Sequence, residues 1–142
     1  MFALCFCIGG IFMYEELMQQ ARAVRENAHC PYSHFAVGAA LLAKDGTVYT
    51  GCNVENGAYP MCLCAERGAF AKAIADGKKK GDFHAIAIVG AHEGEKPDKP
   101  CYPCGACRQV MAELCTEDFE IVLTDRVYKL KELLPYSFDL NS

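Results

Sequence analysis

Two short motifs, Cys64-Ala65-Glu66 and Pro103-Cys104-Gly105-Ala106-Cys107, supply three thiols and a carboxylate. Three thiolates can hold a zinc ion and leave its fourth tetrahedral position open, as a catalytic site needs and a structural one does not. Glu66 follows the first of these ligands by two residues. From there it can reach a water at the open position, take its proton and pass it on, so the set suits metal-assisted hydrolysis. A glutamate in a first helical turn is also favoured by the helix dipole alone. Its place between the ligand cysteines argues for the chemical role.

The elements around these motifs must bring the sulfurs together. Cys64 opens a helix predicted to run to Ala75, with Gly77 as its stop, and Gly105 to Cys115 reads as a second helix. Free amide N–H groups and a partial positive charge at each helix start favour thiolate over thiol. Cys104 and Cys107, three apart, face the same side of the first turn. Pro103 is tolerated there. Zinc with three thiolates carries a net negative charge that weakens it as an acid, and Arg67 is placed to offset this by donating to the sulfurs. The competing reading of Arg67 is a surface helix arginine.

Asn53 and Glu55 lie two apart at the end of a strand and so project to the same side. An amide and a carboxylate aimed together can bracket sugar hydroxyls. Phe35, Tyr59 and Phe138 are aromatic candidates for a base-stacking pocket, although each alone also fits a core position.

Apolar residues Leu17, Met18, Ala21 and Val24 recur at helical spacing from Glu15 to Glu26. Phe35 to Leu42 and Thr47 to Asn53 flank Asp45-Gly46 and read as a hairpin. Ala85 to Ala91 and Glu120 to Thr124 read as buried strands, with a further strand expected at Val127 to Leu130. Strands alternating with helices after an opening hairpin indicate a layered α/β domain on a mixed sheet.

A chain of 142 residues suffices for one core. The net charge of −4 argues against a nucleic-acid backbone as partner, and Lys78-Lys79-Lys80 reads as a solvated helix end. The hydrophobic fraction of 52% suits a chain that buries surface against copies of itself. Its ten cysteines are clustered as C-x-C and C-x-x-C, which in a reducing compartment indicates metal ligands and a cytoplasmic protein. Cys30, Cys52 and Cys115 are expected as buried thiols. Residues 1–12 are apolar throughout, too short to span a bilayer and without the basic residues that open a signal peptide. They are read as an extension outside the fold, with residues 13–142 forming the domain.

Four stretches together carry a resemblance to a known family. They are Pro31-Tyr32-Ser33-x-Phe35-x-Val37-Gly38-Ala39-Ala40-Leu41, Gly51-Cys52-Asn53-Val54-Glu55-Asn56-x-x-Tyr59, Cys64-Ala65-Glu66-Arg67 and Pro103-Cys104-Gly105-x-Cys107-Arg108-Gln109. A ligand-x-Glu followed by Pro-Cys-x-x-Cys is the signature of zinc deaminases acting on nucleobases. The full set resembles cytidine deaminases of the small homotetrameric kind, in order from about Tyr14 to Phe138. Leu133-Leu134-Pro135 and Phe138 resemble that family's tail. The extension at 1–12, Pro60 and the short segment from Thr124 to Leu130 depart from its pattern.

The resemblance implies a three-layer α/β/α fold with a five-stranded mixed sheet. It also implies one zinc per chain on Cys64, Cys104 and Cys107, and hydrolytic deamination of cytidine and deoxycytidine in pyrimidine salvage. Asn53 and Glu55 would bind ribose, the Ala65 backbone and Glu66 the pyrimidine, and Phe35 and Phe138 would enclose the base. Phe138 would come from a neighbouring subunit of a homotetramer with shared active sites, and neither nucleic acid nor membrane would be a partner. Two rivals stand beside this reading. One is a closed structural zinc site using Cys62 as fourth ligand, and the other is a deaminase of the blasticidin S type.

Overall fold

The computed structural model describes residues 2–141. Helix α1 spans Phe2–Arg25 and buries Leu17, Met18 and Ala21 on one face. It is longer than the amphipathic pattern from Glu15 predicts, because a wholly apolar stretch has no polar face from which to read a period. Nothing in the extra turns breaks a helix as proline would, and Ile11 and Phe12 on them are exposed.

Strands β1 (Phe35–Ala43) and β2 (Val48–Cys52) form the expected hairpin, pairing Leu41 with Tyr49. The Asp45 carboxylate accepts from the Thr47 N–H at 3.0 Å, and Gly46 takes the left-handed φ of 93° that the turn requires. Strand β3 (Phe83–His92) runs antiparallel to β1 along its whole length. Beyond it come β4 (Glu120–Val122), parallel to β3, and β5 (Val127–Lys129), antiparallel to β4. The sheet is therefore five-stranded and mixed, in the order β2-β1-β3-β4-β5.

Alternation along the central strands builds three layers. Ala40 and Leu42 of β1 and Ala85, Ala87 and Val89 of β3 pack against α1. Ala39, Leu41, Ile86 and Ile88 point the other way, against helices α2 (Ala65–Ala75) and α3 (Gly105–Leu114). Phe70, Met111 and Phe119 fill this second core. A short helix, α4 (Leu130–Leu133), follows β5, beginning at Leu130, the last residue of the expected strand.

Two glycines let the layers approach. A Cβ at Gly38 would lie 2.0 Å from the Ala21 carbonyl oxygen of α1, and one at Gly51 would lie 2.2 Å from the Ala65 carbonyl oxygen of α2. Ala65 stands between two residues of the chemical motif, so the contact at Gly51 sets how deeply that motif sits against the sheet. Arg25, at the end of α1, is buried. Its Nε donates to the Ala36 carbonyl at 2.9 Å and its Nη2 to those of Ala91 and His92 at 3.0 and 3.1 Å. It thereby fastens α1 to β1 and β3 beside Phe35.

Some smaller expectations need correction. Cys30 is buried as predicted, whereas Cys52 and Cys115 are only partly so. Lys78 is not a freely solvated helix end. It pairs with Asp45 at 2.8 Å and is mostly covered, because the hairpin turn folds back toward the end of α2.

Candidate active site

Helix α3 connects the parallel strands β3 and β4, so its start lies outside the carboxyl end of β3, where ligands bind in open α/β sheets. Cys104 occupies its N-cap, and Cys64 the N-cap of α2, both with extended backbone. Their carbonyls accept from Arg108 N–H at 3.0 Å and Gly68 N–H at 3.1 Å. Neither sulfur caps its own helix, so both remain available to a shared centre. Cys107, one turn into α3, is fully buried.

The three sulfurs lie within 4.8 Å of one another, and those of Cys64 and Cys104 are 3.7 Å apart. Sulfurs bound tetrahedrally to one zinc at about 2.3 Å would be separated by about 3.8 Å. The residues present therefore fit the ion. Among the described residues this is the one group of cysteine, histidine and acidic side chains close enough to hold a metal. Cys62 is not part of it. Its sulfur instead accepts from the Asn56 N–H at 3.3 Å and its thiol faces the Asn56 carbonyl at 3.6 Å. The closed four-cysteine reading fails on that geometry.

Charge is arranged for thiolates. A hydrogen bond from the Cys107 thiol, together with the Arg67 guanidinium at 3.4 Å, brings Cys64 down to about 5. Cys107 moves the opposite way, because it is the donor to Cys64 and is buried. Arg67 also donates to the Cys62 carbonyl at 3.4 Å. Its Nε is buried without a hydrogen-bond partner, which suits a guanidinium placed for its charge. Burial pushes the Glu66 carboxyl up from the ordinary carboxylate range, and its Oε2 lies 3.5 Å from the Cys107 sulfur.

A cavity of about 250 Å³ opens over these groups, lined by Phe35, Asn53, Glu55, Ala65 and Glu66 as well as Cys64 and Cys104. Asn53 does more than face the cavity. Its amide donates to the Phe35 carbonyl and accepts from the Val37 N–H, both at 2.8 Å. Glu55 accepts from the N–H groups of Tyr32 and Ser33 at 3.0 and 3.1 Å through a single oxygen, Oε1. The bonds from Ser33 lead in holding its carboxyl below the usual value. The Phe35 ring is steadied edge-on by His92, with centroids 5.1 Å apart.

Two expected residues lie away from this cavity within the chain. Tyr59 begins a 3₁₀ turn, Tyr59–Met61, and packs edge-on against Tyr32 at 5.8 Å, largely exposed. Pro60 occupies an early position of that turn, where a missing N–H costs nothing. Phe138 is 70% exposed, and only its carbonyl is engaged, by the Gln109 side chain at 3.2 Å. Conversely, Val37, Leu63, Cys101 and Tyr102 line the cavity although the sequence reading did not select them. For Tyr102 a signal existed, since it immediately precedes Pro103.

The profile described as "Cytidine and deoxycytidylate deaminase zinc-binding region" matches residues 13–123. The chain belongs to this family. A cytidine deaminase of Sporosarcina psychrophila is 49% identical over 129 residues, covering 87% of this chain and 90% of the relative. One of Halalkalibacterium halodurans is 46% identical over 127 residues, covering 86% and 91%. Among solved structures, the cytidine deaminase of Burkholderia pseudomallei matches with a TM-score of 0.79 and 50% identity, covering 87% of this chain and 98% of that one. The family's zinc-binding region thus contains both helix starts and all three clustered sulfurs.

Proposed function

We propose that this chain catalyses the zinc-dependent hydrolytic deamination of cytidine and deoxycytidine, yielding uridine or deoxyuridine and ammonia. The observation that carries the reading is Glu66, a buried carboxyl with a raised pKa beside three clustered sulfurs on a nucleoside-sized cavity. One zinc held by Cys64, Cys104 and Cys107 would supply, when bound, a water acidified toward neutral pH.

The chain's own groups do the rest. Glu66 takes a proton from water and gives it to the pyrimidine ring nitrogen as a carbon–oxygen bond forms at the amine-bearing carbon. A further proton passes through Glu66 to the amine as the carbon–nitrogen bond breaks and ammonia leaves. A carboxyl tuned upward by burial suits both directions of transfer. Arg67 offsets the negative charge of the thiolates. Phe35 stacks on the base, and the Ala65 backbone contributes to holding it. Asn53 and Glu55 bind the ribose with the hydrogen-bonding capacity that the β1 backbone and the Tyr32–Ser33 amides leave free.

The assembly belongs to the same proposal. Phe138, with little of its own chain to join, covers the pyrimidine of a neighbouring subunit in a homotetramer. Tyr59 contributes to the site from the same boundary. Residues 1–12 stand outside the catalytic domain, which is supported by the exposure of Ile11 and Phe12 and by the family match beginning at residue 13. The clustering of the cysteines as C-x-C and C-x-x-C favours the cytoplasm, and the reaction serves pyrimidine salvage. No helix among the described residues is long and apolar enough to cross a membrane. Ammonia release from cytidine, deoxycytidine, cytosine and blasticidin S, measured side by side, tests the substrate class. The two nucleosides should be turned over far faster than the others, and a preference for blasticidin S or cytosine would overturn the reading.

A further inference from the structure

Tyr102 lines the cavity, two residues before the ligand cysteine Cys104, and is about half exposed. Its ring is not left to find its own position. The Tyr102 and Tyr128 hydroxyls lie 3.2 Å apart and the two rings pack edge-on with centroids 5.7 Å apart. Tyr128, on β5, in turn donates to the Asp125 carboxylate at 2.6 Å, and the Arg126 guanidinium lies 3.7 Å from its ring centre. The β4–β5 turn thus reaches the cavity through two tyrosines in series, and neither is used in the proton chemistry or in ribose binding.

We propose that Tyr102 is a specificity-determining residue, a wall held by Tyr128 and Asp125 that limits which substituents the pyrimidine can carry near its reacting carbon. This rests on the deaminase reading. The amine-bearing carbon must face the Cys64–Cys104–Cys107 cluster to be attacked, and Tyr102 is joined to that cluster through Pro103. The substituent sites beside that carbon, on the exocyclic amine and on the adjacent ring carbon, are therefore the ones a bulky side chain there restricts. An aromatic pinned by a hydrogen bond and an edge contact yields less to an added methyl group than a free one would.

The test is kcat/KM of the zinc-loaded protein for cytidine, 5-methylcytidine and N4-methylcytidine, in the native chain and in Tyr102→Ala, Tyr102→Phe and Tyr128→Phe. Excluding one methyl group is typically worth roughly 10–200-fold. Tyr102→Ala should accordingly raise the methylated-to-unmethylated ratio at least tenfold for one of the two analogues. Tyr128→Phe, which keeps both rings and removes the hydroxyl contact, should move the same ratio in the same direction by a smaller factor. Tyr102→Phe should match Tyr128→Phe. Native protein active on cytidine, with both ratios unchanged within twofold in Tyr102→Ala, overturns the assignment of Tyr102. If Tyr102→Ala fails to retain zinc, an unchanged ratio in Tyr128→Phe overturns it instead. Native zinc-loaded protein inactive on cytidine would refute the deaminase reading itself, a result distinct from either.

Discussion

Replacing Glu66 by glutamine preserves the shape of the cavity floor and removes the carboxyl proposed to carry the protons. Turnover should fall by roughly 10²–10⁴ or more, since one carboxyl serves several transfers, while zinc content and melting temperature stay near native. A variant that keeps a tenth of the activity would assign the proton work elsewhere. For the metal, Cys104→Ala should lose zinc in metal analysis, whereas Cys62→Ser should keep it, because the Cys62 sulfur engages Asn56 and stands apart from the cluster. The opposite pattern would restore the closed four-cysteine site. Asn53 tethers the Phe35–Val37 backbone and is proposed to hold the ribose as well, so its substitution should show two effects. Loss of its bonds to Phe35 and Val37 should lower stability by roughly 1–3 kcal/mol, at about 0.5–1.5 kcal/mol per bond. Loss of its sugar contact should in addition reduce kcat/KM for cytidine more than for free cytosine. Thermal melts and the two substrates separate these effects, and equal losses with and without the sugar would leave Asn53 a loop tether only.

At the scale of elements, the site depends on how closely α2 lies on β2. Gly51→Ala would drive a methyl group into the Ala65 carbonyl, and because the obstacle is backbone the helix must move. Overpacking of this sort costs roughly 1–3 kcal/mol, and here it also displaces Cys64 and Glu66. Both melting temperature and zinc affinity should drop, and native values for both would show that the contact does not set the helix position. These elements explain what the sequence revealed. Asp45-Gly46 announced the hairpin because few residues take the turn's backbone, and the two cysteine motifs announced helix starts because ligands favour them. The short α4 was hidden because four residues give no period. The full length of α1 was hidden because its first turns are apolar on every side. Tyr59 lies outside the cavity of its own chain, which the sequence could not show because spacing does not tell which way a 3₁₀ turn points its ring. Arg25 left no sequence signal because its partners, such as the Ala91 carbonyl, are distant in sequence, whereas Tyr102 had a signal in its place before Pro103 and only its partner Tyr128 was hidden.

At the scale of the whole molecule, the exposed Phe138 and the apolar helix start make separate predictions. Removing residues 1–12 should leave activity and assembly unchanged, since Tyr14 already packs against the α1 face of the core and donates to Glu120. Aggregation or a changed size in sizing chromatography would make the segment part of the fold. The native protein should elute as a tetramer. Dissociated and reassembled mixtures of Glu66→Gln and Phe138→Ala chains should regain activity above the sum of their parts, and mixtures that do not would place the whole site within one chain. The central claim is hydrolysis at the amine-bearing carbon of a cytidine ring, and product analysis in heavy-oxygen water tests it most directly. The zinc-loaded protein should release ammonia in equal amount to the uridine formed, with solvent oxygen in the new base carbonyl. Uridine without the heavy label, or cytidine left intact with no ammonia released, would contradict it.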